Sequence, residues 1–285
     1  MRMLASAFDS SDHRDALEAV VLLDEDDNES LALAFAGLSV VRLVCPQMSM
    51  GSRVLTCVEH ATGEILILAN DDLSVRTKGW DSRIRGVAAS YPDGVFLLYP
   101  DDGFKGATLP TFPIVSKEFF TVCSPEFWRF YQGAFLDVDL FEIFQRLRQS
   151  GQQRIHYLGD VLFEHEHYRT GKSAWDDTYA RRNRFGDDAT FASLVPYRKA
   201  TAIRLLKQIE GIETPEASAF AIQPRPIPCL GYPFHLLFDR GLPAVWRIRL
   251  AAWYFARQLY RAALSVKPAV LRRGARRSAG RSQSG

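Results

Sequence analysis

Three apolar runs in this chain each stop on acidic residues, and that pattern limits the possible fold more than any other feature. "AVVLL" ends at Asp24, "EILILAN" at Asp71 and Asp72, and "GVFLLYP" at Asp101. An ionised carboxylate beside an apolar layer loses hydration, and neighbouring carboxylates repel, so each run must leave the interior where it meets its acid. Short apolar runs bounded by turn residues read as strands. Between them lie segments with helical spacing: Val54, Leu55 and Val58 ahead of Gly63, and "GWDSRIRGVAASYP" from Gly79. Strands alternating with helices predict an α/β chain, a mostly parallel sheet with helices on both faces. Ligands of such sheets collect beyond the carboxyl ends of the strands, where the three acidic stops fall. Asn70-Asp71-Asp72 is also ordinary turn chemistry, so an acidic turn is the competing reading of that triplet. The adjacent pair calls for compensation, and a bound divalent cation is the candidate.

The spacing predicts strands at 18–23, 39–46 and 64–69 and a helix over 52–63. In "AFLDVDLFEIFQRLRQ" (134–149), Leu140, Ile143, Phe144 and Leu147 share a helical face. Asp137 or Asp139 then lies near the helix N-terminus, where the dipole favours a negative charge and plain capping is the competing account. His165 and His167 follow a short apolar run and, two residues apart, point to the same side of an extended segment.

The chain has 285 residues, 47% hydrophobic and 24% charged, which fits one large domain with a real core. The start, "MRMLASAFDSSDHRD", turns polar too early for a signal peptide, and no run of about 18 uncharged apolar residues suggests a membrane span. Four cysteines without CxxC spacing fit buried thiols in a reducing cytoplasm. Charge is distributed unevenly. After Asp239 there are 11 basic residues and no acid, leaving 24 basic against 33 acidic residues in 1–239, a net of −9. The basic stretch "LPAVWRIRLAAWYFARQLYRAALSV" has three readings: a helix in the headgroup layer of a membrane, a helix packed on the body, or a nucleic-acid contact that no recognised motif supports. The divisions expected are a catalytic body at 1–208, a Pro-rich linker or wrap at 209–240, an amphipathic basic helix at 241–270 and a disordered tail at 271–285.

Taken in order, "VVLLDEDD", "ATGEILILANDDLSVRTKGWD", "FLDVDLFEIFQRLRQSG" and "LFEHEHYRTGKSAWDDTY" resemble a family 2-type glycosyltransferase with the GT-A fold, over about residues 1–195. The resemblance implies a GT-A Rossmann-like sheet and transfer of a sugar from a nucleotide-diphosphate donor, most commonly a UDP-sugar, to a hydroxyl on a glycan or lipid-linked acceptor. It implies that Asp24 contacts the nucleotide base and that Asp71 and Asp72 form the DxD-type pair beside the ribose and an Mn²⁺ or Mg²⁺ ion. Asp137 is then the base that deprotonates the acceptor, with Asp139 as its neighbour on the donor side. His165, or its rival His167, completes the metal site, and Arg169 and Lys172 meet the diphosphate. One base opposite the leaving group implies inversion. The expected location is the cytoplasm, at the inner face of the membrane if the basic helix binds there.

Two features depart from that family. Leu136 stands where a Glu is usual, and the family's first strand is missing, which implies a start placed too far downstream or a non-catalytic nucleotide- or sugar-binding remnant. A nucleotidyltransferase shares the layout but would show a Gly-rich phosphate loop with a Lys near the N-terminus.

Overall fold

The computed structural model describes residues 2–34, 37, 39–123, 125–166, 183, 185–212 and 231–279, with backbone alone for 265–279. His167, Arg169 and Lys172 lie outside the described residues, as do 213–230 of the Pro-rich stretch and 280–285 of the tail.

The first apolar run forms β1 (Ala19–Asp24), paired in parallel with β2 (Val40–Cys45) from Ala19 opposite Val40 to Asp24 opposite Cys45. Helix α1 (Arg2–Asp9) precedes them and the short α2 (Asn28–Leu31) lies between. Asp27 opens α2 by accepting from the Ser30 amide at 3.1 Å, so part of the acidic run 24–27 is a helix cap. Helix α3 (Met50–His60) starts two residues before the expected stretch, because Ser49 caps it through the Ser52 amide. Gly51 is fixed by close approach: its amide donates to Tyr131 O at 3.0 Å, and a Cβ there would lie 1.7 Å from Trp128 O.

A separate five-stranded sheet has the order β3-β6-β5-β7-β4. Its strands are β3 (Ile65–Ile67), β4 (Leu73–Val75), β5 (Leu97–Asp101), β6 (Ile114–Ser116) and β7 (Ile155–His165). The chain is α/β with helices flanking the sheets, but the sheet is mixed where alternation predicted mostly parallel pairing. Only β5–β7 is parallel in it; β3–β6, β5–β6 and β4–β7 are antiparallel. Residues 102–113 join the paired strands β5 and β6 without an α-helix, whereas the parallel pair β5–β7 is joined through the helices at Lys117–Cys123 and Leu136–Gln149. Glu18 holds the start of β1 beside the start of β3 by accepting from the Thr62 and Gly63 amides.

Alternation along β5 divides the core. Val95 and Leu97 face one cluster, Phe96 and Leu98 the other. The second cluster is covered by α4 (Trp80–Ala88) through Trp80 and Ile84, with Met3 and Ala7 of α1 against it. The larger cluster joins the sheet to α5 (Lys117–Cys123), α6 (Leu136–Gln149), α7 (Asp188–Ser193), α8 (Val195–Ile209), α9 (Tyr232–Phe238) and the start of α10 (Ala244–Ala279). Helix α10 continues past the boundary at 270 expected for it.

A line of buried charges crosses that helical layer. Arg198 on α8 is fully buried, with Nη1 3.1 Å from Asp139 and Nε 3.0 Å from Glu142, both on α6. Glu142 also accepts from Arg146 at 2.5 Å, and Arg146 reaches Asp239, just past α9, at 3.0 Å. Lys199 lies 3.1 Å from the same Asp239 oxygen. Burial pushes the Asp239 carboxyl up, but hydrogen bonds and charge from Arg146 and Lys199 outweigh it and bring it down to about 2. A depressed carboxyl stabilises the fold above its unfolded value of 3.8, and that contribution is lost as the pH falls through about 2. Asp239→Asn is therefore expected to cost about 2 kcal/mol in urea denaturation at pH 7. The difference from wild type should shrink below pH 3.8 and vanish near pH 2.

Candidate active site

Strand directions bring acidic stops to one rim. β3 and β5 are both antiparallel to β6, so they run the same way, and β7 is parallel to β5. The carboxyl ends of β3, β5 and β7 therefore share an edge of the sheet. β4 runs against β7, so it begins where β7 ends, with Leu73 opposite His165. Residues 68–72 leave β3 at that rim and enter β4 there.

Asp71 and Asp72 part company at this point. Asp71 is exposed, whereas the half-buried Asp72 places Oδ2 3.1 Å from His165 Nε2. The Asp72 carbonyl accepts from the Glu166 amide at 2.7 Å, and the His165 amide donates to Asp102 O at 3.0 Å. Buried His165 also lies edge-on to Phe112, centroids 5.2 Å apart. One carboxylate thus faces outward and the other lies within hydrogen-bond distance of an imidazole.

The aim of His165 depends on an irregularity in β7. Pro100 faces Leu158, but the next residue, Asp101, faces Leu162, so Gly159, Asp160 and Val161 are extra residues on β7. Val161, Phe163 and His165 then point inward together.

The other acids serve different ends. Asp24 closes β1 in an ion pair with Arg53 of α3, both partly exposed. Asp102, 2% exposed, accepts the amides of Phe104, Lys105 and Gly106 and the Thr111 hydroxyl, so it builds the loop after β5. Burial opposes its ionisation, yet these hydrogen bonds hold its carboxyl below the usual range. The "GWD" triplet is structural as well. Gly79 takes φ 68° and donates to Ser10 O, Trp80 Nε1 donates to Ala7 O at 3.0 Å, and Asp81 accepts the amides of Asp12 and His13.

Asp137 is half-buried in the first turn of α6, its Oδ1 2.8 Å from the Val138 amide. Asp139 is fully buried and accepts from Trp128 Nε1 at 3.0 Å, Tyr131 Oη at 2.7 Å and Arg198. Burial raises its carboxyl despite these partners. It joins helix to core instead of facing a ligand. The residue before α6, Phe135, adopts φ 72°, an unusual geometry for a side chain of this size. Phe191 stacks on its ring at 4.6 Å, and Arg257 lies 5.2 Å over it.

Sequence reasoning missed Asp187, which sets this turn. Its two oxygens accept the amides of Gln132, Gly133 and Ala134 at 2.8–2.9 Å, fixing the segment that delivers Asp137. The available signal was "GDD" at 186–188, an adjacent acidic pair like Asp71-Asp72.

Asp72 and His165 supply one carboxylate and one imidazole. Among the described residues, no group of three or more His, Cys, Asp or Glu side chains converges on a metal position. Two protein ligands suit an ion whose remaining positions are filled by substrate oxygens, the usual mode for Mg²⁺ with a diphosphate. The donor set fits that shared kind of site and not an all-protein cage. Among the described residues no helix is long and apolar enough to cross a membrane.

No family model and no curated protein matches the sequence. Among solved structures, glucosyl-3-phosphoglycerate synthase from Mycobacterium tuberculosis, crystallised with phosphoglyceric acid, aligns at 15% identity. That alignment covers 79% of this chain and 83% of the synthase, with a TM-score of 0.43. A mycobacterial protein of known crystal structure aligns at 16% identity over 74% of this chain and 72% of its own, with a TM-score of 0.41. At these values the likeness concerns chain path and assigns no activity.

Asp187→Ala removes an acceptor from three backbone amides at once. It is expected to cost about 3 kcal/mol and to speed amide exchange at Gln132, Gly133 and Ala134 more than in β5.

Proposed function

We propose that the chain is an inverting glycosyltransferase that moves a sugar from a nucleotide-diphosphate donor, by preference a UDP-sugar, to a hydroxyl acceptor on a cell-surface glycan or glycolipid. The observation that carries this reading is the Asp72–His165 pair at the shared carboxyl rim of β3, β5 and β7. A carboxylate and an imidazole held together there suit a diphosphate and its counter-ion better than a plain acidic turn does.

The reaction has two electrostatic demands: the leaving diphosphate gains charge, and the acceptor hydroxyl loses a proton. Asp72 and His165, with exposed Asp71 beside them and His167 beyond, would hold Mn²⁺ or Mg²⁺ against the diphosphate. Bound there, the ion acts as a Lewis acid toward the leaving oxygens. Asp24, at the end of β1, would meet the base once Arg53 yields it. Arg169 and Lys172 remain the candidates for further diphosphate contacts. Asp137 takes the acceptor proton as the acceptor oxygen bonds to the anomeric carbon. The bond from that carbon to the diphosphate oxygen breaks in the same step, and the nucleoside diphosphate leaves with the electron pair. Attack opposite the leaving group inverts the centre. The turn held by Asp187 and Phe135 keeps the base in position, so little reorganisation accompanies the transfer.

Asp137→Asn should lower transfer at least about 100-fold while leaving donor affinity by calorimetry unchanged. Asp72→Ala should weaken donor binding only in the presence of the divalent ion. Turnover of Asp137→Asn within a few-fold of wild type would remove Asp137 from this role. Wild-type protein that binds donor without releasing nucleotide, whatever acceptor is supplied, would instead be the non-catalytic remnant. The separation of the β1–β2 pair from the main sheet is the feature that favours this second reading.

A further inference from the structure

Helix α10 presents opposite faces to different surroundings. Leu250, Ala251, Tyr254 and Gln258 are buried on the body. Tyr254 Oη donates to Asp188 O at 2.8 Å, Arg257 lies 2.7 Å from Asp188 Oδ1, and Gln258 Nε2 donates to Oδ2 at 2.6 Å. About half a turn away, Val245, Ile248, Ala252, Phe255 and Leu259 recur at intervals of three and four and are all exposed. Val245 is 69% exposed, Ile248 60% and Leu259 56%. Helix α9, packed against α10, adds exposed Phe234 and Phe238, the latter 80% open to solvent. Exposed apolar residues gathered on two packed helices in this way are what a docking face presents.

We propose that the outward face of α9 and α10 rests on an anionic lipid surface. Charge selects this occupant. The chain from Arg240 onward carries 11 basic residues and no acid, and Arg240 and Arg249 are exposed beside the apolar residues. Trp253 and Tyr260 on the same helix are about half exposed, each also lying against a ring of the body, Trp253 5.6 Å from Phe135 and Tyr260 6.3 Å from Phe185. Residues 1–239 carry a net charge of −9, so an anionic surface repels the body and attracts this end, which orients the protein. Two copies joined through α10 would bring basic segments together without an acid on either to pair them. The helix lies along the interface, since it is not apolar enough to span. This inference stands apart from the transferase reading.

The test is sedimentation of the full chain with phosphatidylcholine vesicles, with and without phosphatidylglycerol. Wild type should pellet with the anionic vesicles, less so in high salt, and remain in solution with the neutral ones. Ile248→Glu with Leu259→Glu should weaken binding at least about tenfold while the thermal midpoint stays at the wild-type value. Arg240→Glu with Arg249→Glu supplies a second variant if the first fails to fold. The proposal is overturned if wild type stays in solution with anionic vesicles, or if folded variants bind within twofold of it. It is also overturned if light scattering shows a wild-type dimer that these substitutions dissolve, which would assign the face to a second copy.

Discussion

The helical layer depends on Arg198. A guanidinium with no exposure to water is tolerable only because Asp139 and Glu142 meet it at hydrogen-bond distance. Desolvation costs several kcal/mol for each ion, and the pairing has to offset it. The arrangement therefore tolerates little displacement of α6 against α8. Arg146 and Asp239 extend the same demand to the end of α9. The helix that carries Asp137 is consequently fixed along its length by charge as well as by apolar contact. Deleting one partner would strand an opposite charge in the interior, which makes the line a stronger positioning device than a stabilising one.

The chain contains several adjacent aspartate pairs, and the fold treats those at 71–72 and 187–188 differently. At 187–188 both carboxylates are buried. Asp187 is neutralised by three amides and Asp188 by Arg257 and Gln258. Every partner there belongs to the chain. At 71–72, Asp72 turns to His165 and Asp71 remains exposed, so part of the compensation must come from solvent or a ligand. The pair at 187–188 thus finds its partners within the chain, and the pair at 71–72 leaves one carboxylate facing outward.

The α/β class and the acidic rim were legible because strand termination by an acid is a local effect. The antiparallel pairings were not legible, because they depend on which strands become neighbours across the sheet, and pairing order has no periodic signature. Asp137 stood out by its place at a helix start, yet nothing local separated it from Asp139, whose three partners lie on other elements. The same holds for Asp24, read as open to a base and found beside Arg53. Asp187 escaped notice because it acts on backbone amides more than 50 positions earlier in the chain. The sequence offered packing on the body, a lipid surface or nucleic acid for the basic helix; one face of it packs on the body through Leu250, Ala251 and Tyr254, and another is exposed.

The three extra residues of β7 have a consequence for how this site can vary. Side chains alternate along a strand, so an odd insertion reverses which residues face the interior. With Gly159, Asp160 and Val161 in place, Val161, Phe163 and His165 are inward and Glu164 lies in the opposite set. Losing one residue at that point would bring Glu166 to the place beside Phe112 and turn the imidazole away from Asp72. A change of two would keep the phase and merely slide the histidine along the rim. Parity, more than length, decides whether a relative of this chain keeps a histidine facing Asp72.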